Sequence, residues 1–156
     1  MGVVDDRLQE LGIELPHVPE AVANYIPGVV VGDILHLSGC IGEVNGDLPI
    51  KGKLGAEVTV EQGYQSARLC GLNHLAMAKH CLEGDLDRIV RMVRLVGYVN
   101  SAPGFKEAPW VVNGESDFLV EVFGDERGKH ARAALNINEL TYDAPVETIL
   151  TLQIHP

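Results

Sequence analysis

Two runs near the end of the chain largely alternate between apolar and polar or small residues. In the first, Ala131, Ala133, Leu135 and Ile137 share one face, while Arg132, Ala134 and Asn136, flanked by His130 and Asn138, take the other. In the second, Val146, Thr148, Leu150, Leu152 and Ile154 oppose Glu147, Ile149, Thr151 and Gln153. A Tyr142-Asp143-Ala144-Pro145 turn joins them, so a terminal hairpin is predicted. Upstream, the apolar runs 22–31 and 34–38 flank Gly32-Asp33, a strong two-residue hairpin signal. The segment 88–99, RIVRMVRLVGYV, is apolar enough for a central strand, with Gly97 marking a bulge.

Helical spacing appears in three places. Residues 5–12 predict a short surface helix, capped by Asp5 or Asp6, and the two prolines between Leu15 and Pro19 predict an extended linker after it. The chain therefore divides into an N-terminal extension over 1–19 and a domain over 20–156. Thr59 and Gln62 have the spacing of a capping box, and Val60, Tyr64, Ala67, Gly71, Leu75, Ala78 and Leu82 then recur on one face of an amphipathic helix. A second long helix is predicted from Trp110 to Phe123, with Pro109 at its first turn. Residues 40–56, rich in glycine and proline, read as a loop with a turn at Asn45-Gly46.

The order strand, strand, helix, strand, helix, strand, strand implies an α+β sandwich with both long helices on one face of the sheet. The other face is left bare and apolar. Burial against further copies of the chain would cover it, so a closed cyclic homo-oligomer is expected.

Composition narrows the function. A chain of 156 residues with 46% hydrophobic content suits one globular domain. Its 22 acidic against 12 basic residues, a net charge of -10, weigh against nucleic acid as a partner. Cys40, Cys70 and Cys81 form no CxxC pair and cannot all pair with one another, which favours a reduced compartment. With an acidic N-terminal segment and no apolar run near the ~20 residues of a membrane span, a soluble cytoplasmic protein is expected.

Charges in the middle of strands are the candidate chemistry. Arg132 is either one half of an ion pair at a subunit interface or a clamp for a ligand carboxylate, held on a rigid strand. Glu147 is either its partner or a proton-transfer group. Tyr25 reads equally as a core aromatic or a pocket wall, and Cys40 more readily as a small buried residue than as a reactive thiol. His74 and His80, six apart, fall on opposite sides of a helix, so no metal site is expected. Arg88, Arg91 and Arg94 alternate faces on a regular strand, which argues against an anion patch. No phosphate-binding loop is present.

Asn24-Tyr25 before the Gly32-Asp33 turn, the strand end Leu37-Ser38-Gly39, Ala131-Arg132-Ala133, and Val146-Glu147 fifteen residues beyond Arg132 together resemble the RidA/YjgF family, also labelled L-PSP endoribonuclease. The resemblance covers residues 20–155. It implies a chorismate-mutase-like fold, a mixed sheet with two helices on one face, assembled as a homotrimer with clefts between subunits. It further implies hydrolysis of reactive enamines and imines to a 2-keto acid and ammonia, with no cofactor. By this resemblance Arg132 would grip the substrate carboxylate, Glu147 would orient water, and Tyr25, Ser38, Gly39 and Cys40 would line the pocket with Asn113 beside it. The same cleft could instead serve a metabolite-binding protein without turnover. Ribonuclease activity ranks third, because the chain is acidic and shows no paired histidine acid-base set.

Overall fold

The computed structural model describes residues 2–156. Its elements are α1 (Val3–Glu10), β1 (Gly28–Val31), β2 (Ile34–Leu37), β3 (Cys40–Ile41), α2 (Val60–Cys81), β4 (Ile89–Asn100), α3 (Ala108–Gly128), β5 (Ala131–Ile137) and β6 (Val146–Ile154). The strands form one sheet in the order β1-β2-β6-β4-β5, and β3 pairs with β6 beyond the end of β2. β1 and β2 pair from Gly28↔Leu37 to Val31↔Ile34, so Gly32-Asp33 is the predicted two-residue turn. Gly32 has φ +63°, which a residue with a Cβ adopts reluctantly.

The two terminal runs are strands, but they are not a hairpin. β4 lies between them, antiparallel to β6 and parallel to β5. Alternation specifies the faces a strand presents and leaves its neighbours open. The parallel β4–β5 pair is made possible by α3, which crosses over between the two strands. The segment expected to turn tightly instead passes over the end of β4. There the Asn100 amide donates to the carbonyl of Pro145 at 2.9 Å, and Asn100 Nδ2 donates to Ala144 O at 3.1 Å.

Both long helices cover the same face, as predicted. The capping box of α2 is present: Thr59 Oγ1 accepts from the Gln62 amide at 3.1 Å, and Gln62 Oε1 accepts from the Thr59 amide at 2.9 Å. Leu95, Val99, Val146, Leu150 and Leu152 are buried beneath the helices with Phe118 and Leu119 of α3. Gly97 is not a bulge. It pairs regularly with Ala134 and Thr148, and a Cβ there would lie 2.5 Å from Val112 Cγ2 of α3. It is a site of close helix-to-sheet approach.

The bulges fall earlier in β4, between Ile89 and Arg91 and between Met92 and Arg94. Each inserts a residue, so a three-residue spacing stays on one face. Ile89, Met92 and Leu95 are all buried, whereas Arg91 and Arg94 sit opposite Gln153 and Thr151 on the other face. The expected alternation of these arginines is therefore lost.

α1 is not a surface appendage. Val4 and Leu8 are buried in the common core. Neither Asp5 nor Asp6 caps the helix: the carboxylate of Asp87, ahead of β4, accepts from the amides of Val3 at 2.7 Å and Val4 at 2.9 Å. The helix end is thus tied to the domain, and backbone donation holds the Asp87 carboxyl below its usual range. The sheet face away from the helices carries exposed apolar residues, among them Val29, Val31, Leu135 and Ile149.

Candidate functional site

β5 is an edge strand, and Arg132 stands on its helix-facing side beside the buried Leu95. Its guanidinium reaches the first three turns of α3. Nη1 donates to Asn113 Oδ1 at 2.7 Å and to Ser116 Oγ at 3.1 Å, and Nη2 donates to Pro109 O at 3.1 Å. Asn113, at loose register in the sequence, is therefore brought to Arg132. No carboxylate among the described residues forms an ion pair with this guanidinium, and it remains exposed. Partial burial draws its pKa down, with Asp117 opposing the shift. Neutral groups hold the cation in one orientation and leave its charge unspent.

Ser116 has a second partner. Its Oγ lies 3.0 Å from His130 Nε2, and His130 Nδ1 lies 2.7 Å from the Gly128 carbonyl. Because Gly128 O only accepts, a neutral His130 carries its hydrogen on Nδ1 and presents a lone pair to the Ser116 hydroxyl. The hydroxyl then donates to His130 and accepts from Arg132, which locks the fork from behind.

Glu147, the second residue of β6, has its side chain on the opposite sheet face, half-buried. It lines a cavity of about 100 Å³ together with Tyr25, Gly39, Cys40, Met77 and Tyr142. Gly39 lies against this carboxyl: a Cβ there would be in van der Waals contact with the Glu147 carboxyl carbon at 3.5 Å. Burial raises the pKa of Glu147 above the ordinary carboxylate value, and nearby His74 partly offsets this. The group is biased toward holding a proton at a pH where exposed glutamates have lost theirs.

Of the other residues anticipated from the sequence, Tyr25, Gly39 and Cys40 join Glu147 in this cavity, and Asn113 joins Arg132. Ser38 does not line this cavity; its hydroxyl is turned to the backbone, donating to Ile26 O. Cys40 is buried; its thiol donates to Cys70 O at 3.4 Å, and desolvation pushes its pKa well up, as befits a packing residue. Glu147 is not the partner of Arg132 within one chain. The two side chains leave opposite faces of the sheet with β4 between their strands.

A further pair carries no signal in the sequence. His74 of α2 and Glu115 of α3 are fully buried, with Nδ1 and Oε1 2.7 Å apart, while His74 Nε2 lies 3.2 Å from Ser38 O. Only the helix-to-helix contact unites them, and nothing local in the sequence signals it. No group of three metal-ligating side chains occurs among the described residues, and no helix there is long and apolar enough to cross a membrane.

Fold and site together define a YjgF-type domain. Residues 5–147 match the family described as "YjgF/chorismate mutase-like, putative endoribonuclease", and the chain belongs to this RidA/YjgF family. It is 40% identical over 154 residues to Protein TCP17 of Trypanosoma cruzi, covering 99% of this chain and 96% of that one. The crystal structure of Atu1372 from Agrobacterium tumefaciens, a protein of unknown function, superposes with a TM-score of 0.90 at 38% identity, covering 98% of this chain and 93% of that one. A protein of Shewanella oneidensis bearing the endoribonuclease label superposes at 0.92 with 35% identity, covering 98% of this chain and all of the other.

Proposed function

We propose that this protein is a cytoplasmic imine deaminase that hydrolyses 2-imino acids to 2-keto acids and ammonia in a cleft between two copies of the chain, within a homotrimer. The observation that carries the reading is the pairing of an oriented cation lacking a counter-ion, Arg132, with a protonatable carboxylate, Glu147, on opposite sheet faces. One copy cannot close a small substrate between them. Two copies can, if the apolar face of one sheet packs beside the β5 edge of the next. In that arrangement Arg132 comes from one subunit, and Glu147 and Tyr25 come from its neighbour.

The chemistry asks little of the protein. Arg132 holds the substrate carboxylate in a bidentate grip, which orients the adjacent C=N bond. Glu147 takes a proton from water as the water oxygen adds to the imine carbon. It delivers that proton to nitrogen, giving a carbinolamine, then takes the proton of the new hydroxyl and passes it to nitrogen as the C–N bond breaks, so that ammonia leaves and a carbonyl remains. A carboxyl with a raised pKa suits both halves of this exchange. An imine is already electrophilic, so the step uses no metal or organic cofactor. An enamine substrate first tautomerises to the imine.

The direct test generates imines in situ with an amino-acid oxidase and follows ammonia release. Wild type should accelerate release and Arg132→Ala should not. Carboxylate binding without acceleration across several amino acids would overturn the enzymatic reading and leave a metabolite-binding protein.

A further inference from the structure

Both ring nitrogens of His74 face acceptors. Ser38 O is a backbone carbonyl, so Nε2 must carry a hydrogen to bond it at 3.2 Å. The 2.7 Å contact between Nδ1 and Glu115 Oε1 needs a second hydrogen between two atoms that would otherwise present only lone pairs. The pair therefore contains two hydrogens, one more than a neutral imidazole beside an ionised carboxylate. Both side chains are 0% exposed, so that extra proton is sealed from solvent.

The bond to Ser38 reaches the functional site. Ser38-Gly39 is the stretch between β2 and β3 where the chain leaves one pairing with β6 and enters another. In a planar trans peptide the N–H points away from the preceding C=O. With the Ser38 carbonyl turned inward to His74, the Gly39 N–H is turned the opposite way, and Gly39 lines the cavity beside Glu147. Among the described residues that N–H has no hydrogen-bond acceptor. Charge-assisted donation to a carbonyl polarises its peptide, which makes the N–H beyond it a better donor.

A purely structural pair would satisfy its polar atoms. Here Glu115 Oε2 is buried without a partner among the described residues. Gly71 lets α3 pack closely here: a Cβ at Gly71 would lie 2.6 Å from Phe118 Cδ1 and 3.2 Å from Glu115 Cγ.

We infer that His74 and Glu115 form a buried, proton-loaded positioning pair that holds the Ser38-Gly39 peptide and presents its polarised N–H to the ligand cavity of Glu147. The inference rests on the proposed function for the identity of the ligand, but its first test does not. In protein labelled with 15N-histidine, NMR at neutral pH should show two slowly exchanging ring protons on His74, whereas the other five histidines should not. A single ring proton, or fast exchange with solvent, overturns the inference whether or not the protein is an enzyme.

The second test uses Glu115→Gln, which preserves shape. One ring proton should vanish and the Gly39 amide resonance should shift. With pyruvate as the ligand, the change in the Gly39 amide on binding should shrink. For imine hydrolysis kcat should fall about tenfold with KM changed by less than about twofold, because only transition-state interactions are weakened. A variant that loses thermal stability yet keeps the Gly39 resonance and kcat of wild type would show the pair to be structural only.

Discussion

Arg132 and Glu147 project from opposite faces of the same sheet, separated by β4, where Leu95 lies opposite Arg132 and Tyr98 opposite Glu147. Their strands are two spacings apart, about 10 Å. Side chains so placed diverge. Any reaction that needs both draws them from different molecules, and that constraint shapes what can be expected of variants.

If Arg132 clamps a ligand carboxylate as proposed, Arg132→Ala should remove a two-pronged, charge-assisted contact worth about 3 kcal/mol, or roughly a 100-fold loss in kcat/KM. Arg132→Lys should recover little, because an ammonium cannot reproduce the fork that Asn113, Ser116 and Pro109 O orient. Steady-state kinetics and calorimetric titration with pyruvate check both. Folding should suffer by only about 1 kcal/mol, since the side chain is exposed.

Glu147 should trade stability for function. Its folded-state pKa is raised, so between the unfolded and folded values the native state binds more protons than the unfolded chain. Stability contributed by this group is then present at low pH and is lost as pH rises through the folded pKa. Glu147→Gln, which cannot ionise, should therefore melt at a higher temperature than wild type near pH 7, with the difference closing below about pH 4. The same variant should fail to release ammonia. Thermal melts across pH, paired with activity, test both halves.

Gly97 and Val112 should couple. Gly97→Ala forces a methyl to within 2.5 Å of Val112 Cγ2 and should cost about 1–3 kcal/mol. Val112→Ala opens that space, so the double variant should be less unstable than the sum of the two singles. Urea denaturation of the four proteins measures the coupling.

Much of this fold was legible because it is local. Thr59 and Gln62 are three residues apart and announce α2; Gly32-Asp33 announces the first hairpin; the apolar run of β4 announces a central strand. What failed was non-local. Alternation in β5 and β6 identified two strands, but the insertion of β4 between them depends on α3 as a crossover and on Asn100 holding the connection. Arg91 and Arg94 were assigned to opposite faces because two bulges cannot be read from residue types. Arg132 and Glu147 stood out as charges within strands, and Asn113 proved to lie against Arg132. The His74–Glu115 contact joins residues 41 positions apart and left no local trace.

The N-terminal segment gives a further expectation. Asp87 binds the first amides of α1, so Asp87→Ala should cost about 1 kcal/mol, the value of a lost helix cap. It should release Val4 and Leu8 from the core, seen as faster hydrogen exchange confined to residues 3–10 and their contacts. Equal protection in the variant would mean that packing alone holds the helix.

The shared site itself is tested most directly by subunit complementation. Arg132→Ala and Glu147→Ala, each inactive alone, are unfolded together in equal amounts, refolded and assayed for ammonia release. If each site takes Arg132 from one subunit and Glu147 from the next, random assembly leaves about one site in four with both native residues, and activity returns to roughly a quarter of wild type. If the mixture is no more active than the separate variants, the two residues do not meet across an interface.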